Sequence, residues 1–224
     1  MTKTQLKNHA AAVADALGER YPDAECALKW EGDPWRLLIM ARLSAQCTDK
    51  KVNAVSVELF KKYPTPEAMA DADLCELEAL IRPCGLYKMK AKNLRDCSKA
   101  LIENYGGVLP SDIDALLSFA GVGRKIANLI RGDVFGLGGI VCDTHFIRIC
   151  GRLGFYPESE KNPQKIERIF TPLLPTERHT DFCHRIVLFG REICKAQNPD
   201  CDNCPLKEKG LCKKGKSENS RCLR

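Results

Sequence analysis

Apolar residues recur at helical spacing along almost the whole chain, and this periodicity limits the available folds more than any other feature. Leu6, Ala10, Val13 and Leu17 mark one helix, Leu37, Leu38 and Ala41 a second, and Val52, Val55, Leu59 and Phe60 a third. Steps of three and four residues put such side chains on one face, and that face has to be covered by another helix. No segment alternates as a half-buried strand does. Short helices are expected in TPEAMADAD and LCELEALI, and a longer one in MKAKNLRDCSKALIENY, stopped by Gly106-Gly107. Ser111 with Asp114 reads as a capping box opening a helix from Asp112 to Phe119. Further helices are expected over Arg124–Asp133, Thr144–Arg152, Pro163–Phe170 and Asp181–Arg191. The fold class is all-α, with many short helices joined by short turns and no repeat or low-complexity linker. A chain of 224 residues with 44% hydrophobic content has enough apolar side chains for a core.

Charge narrows the partners. Thirty-five Lys and Arg face 29 Asp and Glu, leaving +6, and a net +5 falls within Pro205 to Arg224, so an anionic partner is favoured. No signal-like apolar segment follows Met1, and runs such as LLIMA are far below membrane-spanning length. The expectation is a cytoplasmic, nucleoid-associated monomer without a membrane partner. Thirteen cysteines are many for this length, but without a secretory signal a disulfide framework is not expected. Nine of them (Cys26, Cys47, Cys75, Cys84, Cys97, Cys142, Cys150, Cys183 and Cys222) are scattered and are read mainly as small buried hydrophobes.

SFAGVGRKIANLI, Ser118 to Ile130, breaks a helical pattern with Gly121-Val122-Gly123, adds Arg124-Lys125, and resumes the helix. Two glycines one residue apart permit a tight turn with positive φ. The amides at the start of the following helix then lie open to a phosphate, and Arg124 and Lys125 add charge at the same edge. Taken alone, the pattern also suits an ordinary helix–turn–helix connection. Asp143, in VCDTHFIRICGRLGF, is placed to cap a helix beginning at Thr144. If the fold brings it near Lys125, an amine nucleophile meets a fixed negative charge, with burial and the helix dipole lowering the lysine pKa and the carboxylate opposing that drop.

The remaining four cysteines, Cys194, Cys201, Cys204 and Cys212, are separated by six, two and seven residues. Two thiolates chelating through a turn, with two flanking ones, complete a four-coordinate site for either tetrahedral zinc or an iron–sulfur cube. Spacing leaves that choice open. Lys195, Lys207 and Lys209 surround the site as possible phosphate contacts.

LPSDIDALLSFAGVGRKIANLIRGDVFGLGGIVCDTHFIRICGRLGF resembles the helix-hairpin-helix and Gly/Pro/Asp segment of the endonuclease III family of base-excision DNA glycosylases. LLIMARLSAQCTDKKVN and LIRPCGLYKMKAKNL resemble its N-terminal and central blocks, so the similarity runs from about Pro34 to Cys212. The resemblance implies a glycosylase with abasic-site lyase activity on oxidised or otherwise damaged pyrimidines in duplex DNA. Lys125 falls at the catalytic lysine and Asp143 at the catalytic aspartate; adenine-excising relatives lack that lysine. Gln46 and Leu86 fall at the positions that fill the gap left by an extruded nucleotide, while Gly121, Gly123 and Arg124 form the phosphate-binding hairpin. Ala120 stands where the family often has proline, a change that removes rigidity but no donor or charge. The family carries a 4Fe–4S cluster near the C-terminus, which favours that group over zinc; the final cysteine gap here is longer than usual, and Cys222 is a remote substitute for Cys212. The implied architecture is a helical domain at 27–137 holding the hairpin, with 1–26 and 138–224 forming a discontinuous second domain around the cluster and the catalytic pair at the cleft. Two other readings share parts of this pattern: a monofunctional or mismatch-specific glycosylase using water, and a noncatalytic iron–sulfur DNA-binding protein.

Overall fold

The computed structural model describes residues 1–212, and every regular element among them is helical. In chain order the helices are α1 Lys3–Arg20, α2 Pro34–Leu43, α3 Asp49–Lys62, α4 Pro66–Ala70, α5 Leu74–Ile81, α6 Tyr87–Tyr105, α7 Ile113–Ser118, α8 Arg124–Asp133, α9 Thr144–Arg152, α10 Pro163–Phe170, α11 His179–Glu192 and α12 Pro205–Glu208, with three short 3-10 turns. They form two compact units, one of Cys26–Phe135 and one of Met1–Glu25 with the chain from Gly136 onward. None of the described helices is long and apolar enough to cross a membrane.

The contiguous unit is built around α2. Asp33 caps it by accepting from the Trp35 and Arg36 amides at 2.9 and 3.3 Å, and Pro34 supplies a first residue that needs no amide partner. Eight of its ten residues, from Trp35 and Leu37 to Leu43, are buried, so α2 is covered on all sides, with α3, α6 and α8 among its neighbours. Trp35 packs edge-on to Phe60 and donates its indole N–H to Ser98 Oγ at 3.3 Å, which lets a polar group enter an apolar centre. The capping box expected at Ser111 is displaced by one residue: Asp112 accepts from the Ala115 amide at 2.9 Å, and α7 is correspondingly shorter. A carboxylate facing the positive end of the helix is the better cap.

The discontinuous unit buries Ala10, Val13 and Leu17 of α1 together with Phe146, Phe155, Phe170 and Phe182, whose rings meet at 4.9 to 6.0 Å between centroids. Close passage of α9 and α11 depends on Gly190, where a Cβ would run into His145 and stand 2.8 Å from Ile149 Cδ1. Helix α11 begins two residues before the sequence suggests, because the 3-10 turn at Thr176–Arg178 feeds directly into a buried His179 whose Nε2 lies 3.1 Å from the Leu174 carbonyl oxygen.

The reading of the scattered cysteines as buried hydrophobes needs correction. Cys84, Cys97, Cys142, Cys150 and Cys183 are buried, but Cys26 and Cys47 are partly exposed and Cys75 is exposed. Cys222 lies outside the described residues.

Candidate active site

Between α7 and α8 the chain reverses in five residues. The Val122 amide donates to the Phe119 carbonyl at 3.0 Å, and Gly121 adopts φ +68°, a conformation that disfavours any side chain. Phe119 and Val122 are buried and pin the turn to the core, while Gly121, Gly123 and Arg124 are exposed. Gly123 is the N-cap of α8 and offers no side chain to the first amides of that helix. The helix start therefore presents donors and the positive end of the dipole beside an open backbone. Beneath the turn lies Arg42 of α2, 5% exposed, with no hydrogen-bond partner for Nε or Nη1; a Cβ on Gly121 would stand 2.5 Å from Nη1 and 2.8 Å from Cζ. Its mark in the sequence is a charge inside the apolar run LLIMARL.

Lys125 occupies the second position of α8 and is exposed, with no hydrogen-bond or ion-pair partner among the described residues. Its amine therefore faces solvent at the start of the helix. Asp143, in the other unit, is partly buried and caps α9, its Oδ1 accepting from the Phe146 amide at 2.7 Å.

Gln46 and Leu86 share an uncommon geometry. Both are exposed and both have left-handed backbones, at φ +53° and +50°, a strained state for residues other than glycine. The loops that carry them, one following α2 and one preceding α6, are tied together from below by Lys90. Its side chain is buried, and Nζ donates to the Leu43 and Cys84 carbonyls, each at 2.9 Å. Lys88 and Lys92 remain exposed on α6, so the alternating lysines divide between solvent and structure. Met89, one turn beyond Leu86, is 58% exposed and extends the apolar tip. It left no mark in the sequence, because one methionine inside a basic run carries no periodic signal.

In the C-terminal loop the Cys201 and Cys204 thiols are held above the ordinary cysteine range, first by partial burial and then by the nearby Cys194 and Cys212. Cys194, Cys204 and Cys212 pack against the core of the discontinuous unit, while Cys201 is exposed. Among the described residues no three of them converge as ligands of a single metal ion. The long final gap is folded: α12 follows Cys204, buries Leu206, and turns back at Gly210, φ +67°, with the Leu211 amide donating to the Leu206 carbonyl at 2.8 Å. Two arginines of α9 clasp this loop. Arg148 donates to the Cys194 carbonyl at 3.0 Å, and Arg152 donates to Cys194 Sγ at 3.3 Å and to the Lys195 and Ala196 carbonyls at 2.7 and 3.0 Å. Their spacing of four on one helix was the available sign. Lys207 pairs with Asp202 at 3.4 Å and Lys209 pairs with Glu19, so both cations have acidic partners in the free protein.

The chain is 41% identical to endonuclease III of Bacillus subtilis (strain 168) over 209 residues, which cover 93% of this chain and 94% of that protein. Residues 39–176 match the model of the HhH-GPD superfamily base excision DNA repair proteins. The chain belongs to the endonuclease III family. Two solved members of this family superpose on it with a TM-score of 0.87 at 41% identity, covering 96% of this chain. One is an endonuclease III held non-covalently on DNA and covers 97% of that chain; the other is a trapped covalent endonuclease III–DNA intermediate, 98% covered. Within the family segment, 39–176, lie Gln46, Leu86, the hairpin, Lys125 and Asp143.

Proposed function

We propose that this protein is a base-excision DNA glycosylase with abasic-site lyase activity, removing oxidised or otherwise damaged pyrimidines. The observation that carries the proposal is the exposed, unpartnered Lys125 amine on the second residue of a helix that opens on a glycine turn, in a chain 41% identical to an endonuclease III trapped covalently on DNA.

A DNA phosphate docks on the hairpin amides, with Arg124 adding charge. Lys207 and Lys209 join the backbone contacts by exchanging Asp202 and Glu19 for phosphates. Gln46 and Leu86 enter the duplex as the damaged nucleotide swings out: the amide replaces lost base-pair hydrogen bonds, and the leucine, with Met89 behind it, holds the stack apart. Attack requires the neutral form of the Lys125 amine. The free amine attacks C1′; the C1′–N bond breaks, the base leaves with a proton, and ring opening leaves a Schiff base. Loss of a 2′ proton then expels the 3′ phosphate by β-elimination. Asp143 opposes the positive charge that develops on the sugar, its orientation fixed by the Phe146 amide.

Cys194, Cys201, Cys204 and Cys212 would hold a 4Fe–4S cluster. An all-sulfur donor set fits, as does the Arg152 hydrogen bond onto the Cys194 sulfur. The family resemblance favours this group over mononuclear zinc. When bound, the group supplies cross-links that order the loop, with no electron transfer required for the reaction.

Borohydride trapping against defined duplex lesions tests the assignment. Wild type is expected to give a covalent adduct, and Lys125→Ala to lose the adduct and strand cleavage while retaining DNA binding. An adduct that persists in Lys125→Ala would overturn the role of that lysine. Release of base without any wild-type adduct would instead favour a monofunctional enzyme, and binding without release a noncatalytic protein.

A further inference from the structure

We propose that Arg42 is a further phosphate-binding residue of this protein: its buried guanidinium, held behind Gly121 without a counter-charge, is neutralised by the DNA phosphate that docks on the hairpin. The inference rests on the reading that the hairpin meets the DNA backbone. Arg42 sits near the end of α2, which packs against α8. It is 5% exposed, yet Nε and Nη1 have no hydrogen-bond partner, and no carboxylate among the described residues pairs with it. An arginine does not shed its proton near neutral pH, so the charge stays. Burying a cation whose lost hydration is not replaced is unfavourable in the free protein. Burial accordingly draws Arg42 below the ordinary arginine range, and the group acting the other way, the Cys97 thiol, is itself pushed up to about 12 and is uncharged at neutral pH.

The guanidinium is aimed at the turn. A Cβ on Gly121 would run into Nη2 and stand 2.5 Å from Nη1, so the two terminal nitrogens fill the space that a side chain of residue 121 would occupy. Gly121 itself is exposed, as are Gly123 and Arg124 beside it. A phosphate settling on the first amides of α8 from the solvent side therefore meets three sources of positive potential: the helix terminus, Arg124 and, across Gly121, Arg42. The third differs in kind. Water and salt screen an exposed side chain, whereas a buried charge acts through a low-dielectric layer and is screened far less. Its hydration was also lost on folding, so little desolvation of the protein opposes the attraction when DNA arrives. Removing the charge while keeping an apolar stem should help the free protein and harm the complex, the opposite of what loss of a structural arginine does. Because a phosphate carries no sequence information, the harm should be the same on damaged and undamaged duplexes.

The test compares the full-length protein with Arg42→Met on two duplexes of equal length, one carrying an abasic-site analogue and one undamaged, over about 50 to 200 mM KCl. At the lowest salt Arg42→Met is expected to bind both duplexes more weakly by the same factor, roughly fivefold or more, and its plot of log affinity against log salt is expected to be shallower by about 0.9, the slope of one phosphate. Without DNA its urea midpoint is expected at or above that of wild type. Arg42→Gln, neutral but still a hydrogen-bond donor, is expected to show the same shallower slope, so the result does not hang on how one variant folds. Wild-type affinity and slope in a folded neutral variant, weaker affinity with the wild-type slope, or urea midpoints below wild type in both variants overturns the inference. Failure of the wild-type protein to bind either duplex overturns the hairpin reading and the role of Arg42 with it; wild-type binding with unaltered variants overturns the role of Arg42 alone.

Discussion

Gly121→Ala isolates the contact between the hairpin and the buried Arg42. The alanine must hold φ near +68°, which costs about 1–2 kcal/mol. Its Cβ would also stand 2.5 Å from Arg42 Nη1 and 2.8 Å from Cζ, against roughly 3.5–4.0 Å for ordinary contact. A guanidinium at the end of a flexible chain retreats easily in water, but this one is 5% exposed, so the overpacking contributes a further amount of about 1–3 kcal/mol. The total expected from urea unfolding is about 2–5 kcal/mol. In an Arg42→Ala background only the backbone contribution remains, so the same change costs about 1–2 kcal/mol and the cycle shows a coupling of about 1–3 kcal/mol. Gly123 provides the contrast: its φ is −99° and nothing lies within 4 Å of an added Cβ. Gly123→Ala should change stability by less than about 0.5 kcal/mol, and any loss should appear in DNA affinity, where the methyl group obstructs the docking backbone. Strictly additive losses for Gly121→Ala and Arg42→Ala, or equal destabilisation by the two glycine changes, would refute the reasoning.

Three further outcomes are expected. Asp143→Asn keeps a capping acceptor for Phe146, so its unfolding midpoint should stay near wild type while strand cleavage drops at least tenfold; Asp143→Ala should add a loss of about 1 kcal/mol from the cap. Equal activity in wild type and Asp143→Asn would remove the carboxylate from the chemistry. Lys90→Met leaves the Leu43 and Cys84 carbonyls without their donor and should destabilise by about 3 kcal/mol in urea unfolding, with lesion affinity falling in the folded fraction. A neutral substitution would show that the two loops do not depend on this tie. Stability should also decline in alkali. Burial pushes the Cys97 thiol up to about 12 and Cys150 well above the ordinary range, so above about pH 8.5 the unfolded chain releases protons that the folded chain retains. Each such thiol then removes about 1.4 kcal/mol per pH unit, measurable as a falling unfolding free energy in anaerobic buffers; a flat profile to pH 10 would contradict it.

Much of the helical layout was legible because faces such as Leu6/Ala10/Val13/Leu17 repeat at the period of the structure they form, and because Gly106 and Pro163 punctuate it. The displaced cap at Asp112 shows the limit: Ser111 and Asp112 both satisfy the local pattern, and only the backbone course decides between them. The hairpin announced itself through Gly121 and Gly123, yet the residue beneath it did not. Arg42 lies far from the turn in sequence, and its place beneath Gly121 arises from tertiary packing that no local window contains. The same holds for Lys90, whose burial depends on carbonyls supplied by two separate loops. The roles proposed for Lys125, Asp143 and the cysteine quartet come mainly from the family blocks around them. The left-handed backbones of Gln46 and Leu86 add a physical mark that their identities alone did not carry.

Helix α9 carries a mechanical consequence. Its first turn orients the Asp143 carboxylate, and its later turns, through Arg148 and Arg152, grip the backbone around Cys194. The nine-residue rod spans only about 13 Å and cannot tilt at one end without tilting at the other. If the cysteine loop holds the cluster proposed for it, iron starvation or harsh chelation would slacken that loop and misaim a carboxylate that never touches a metal.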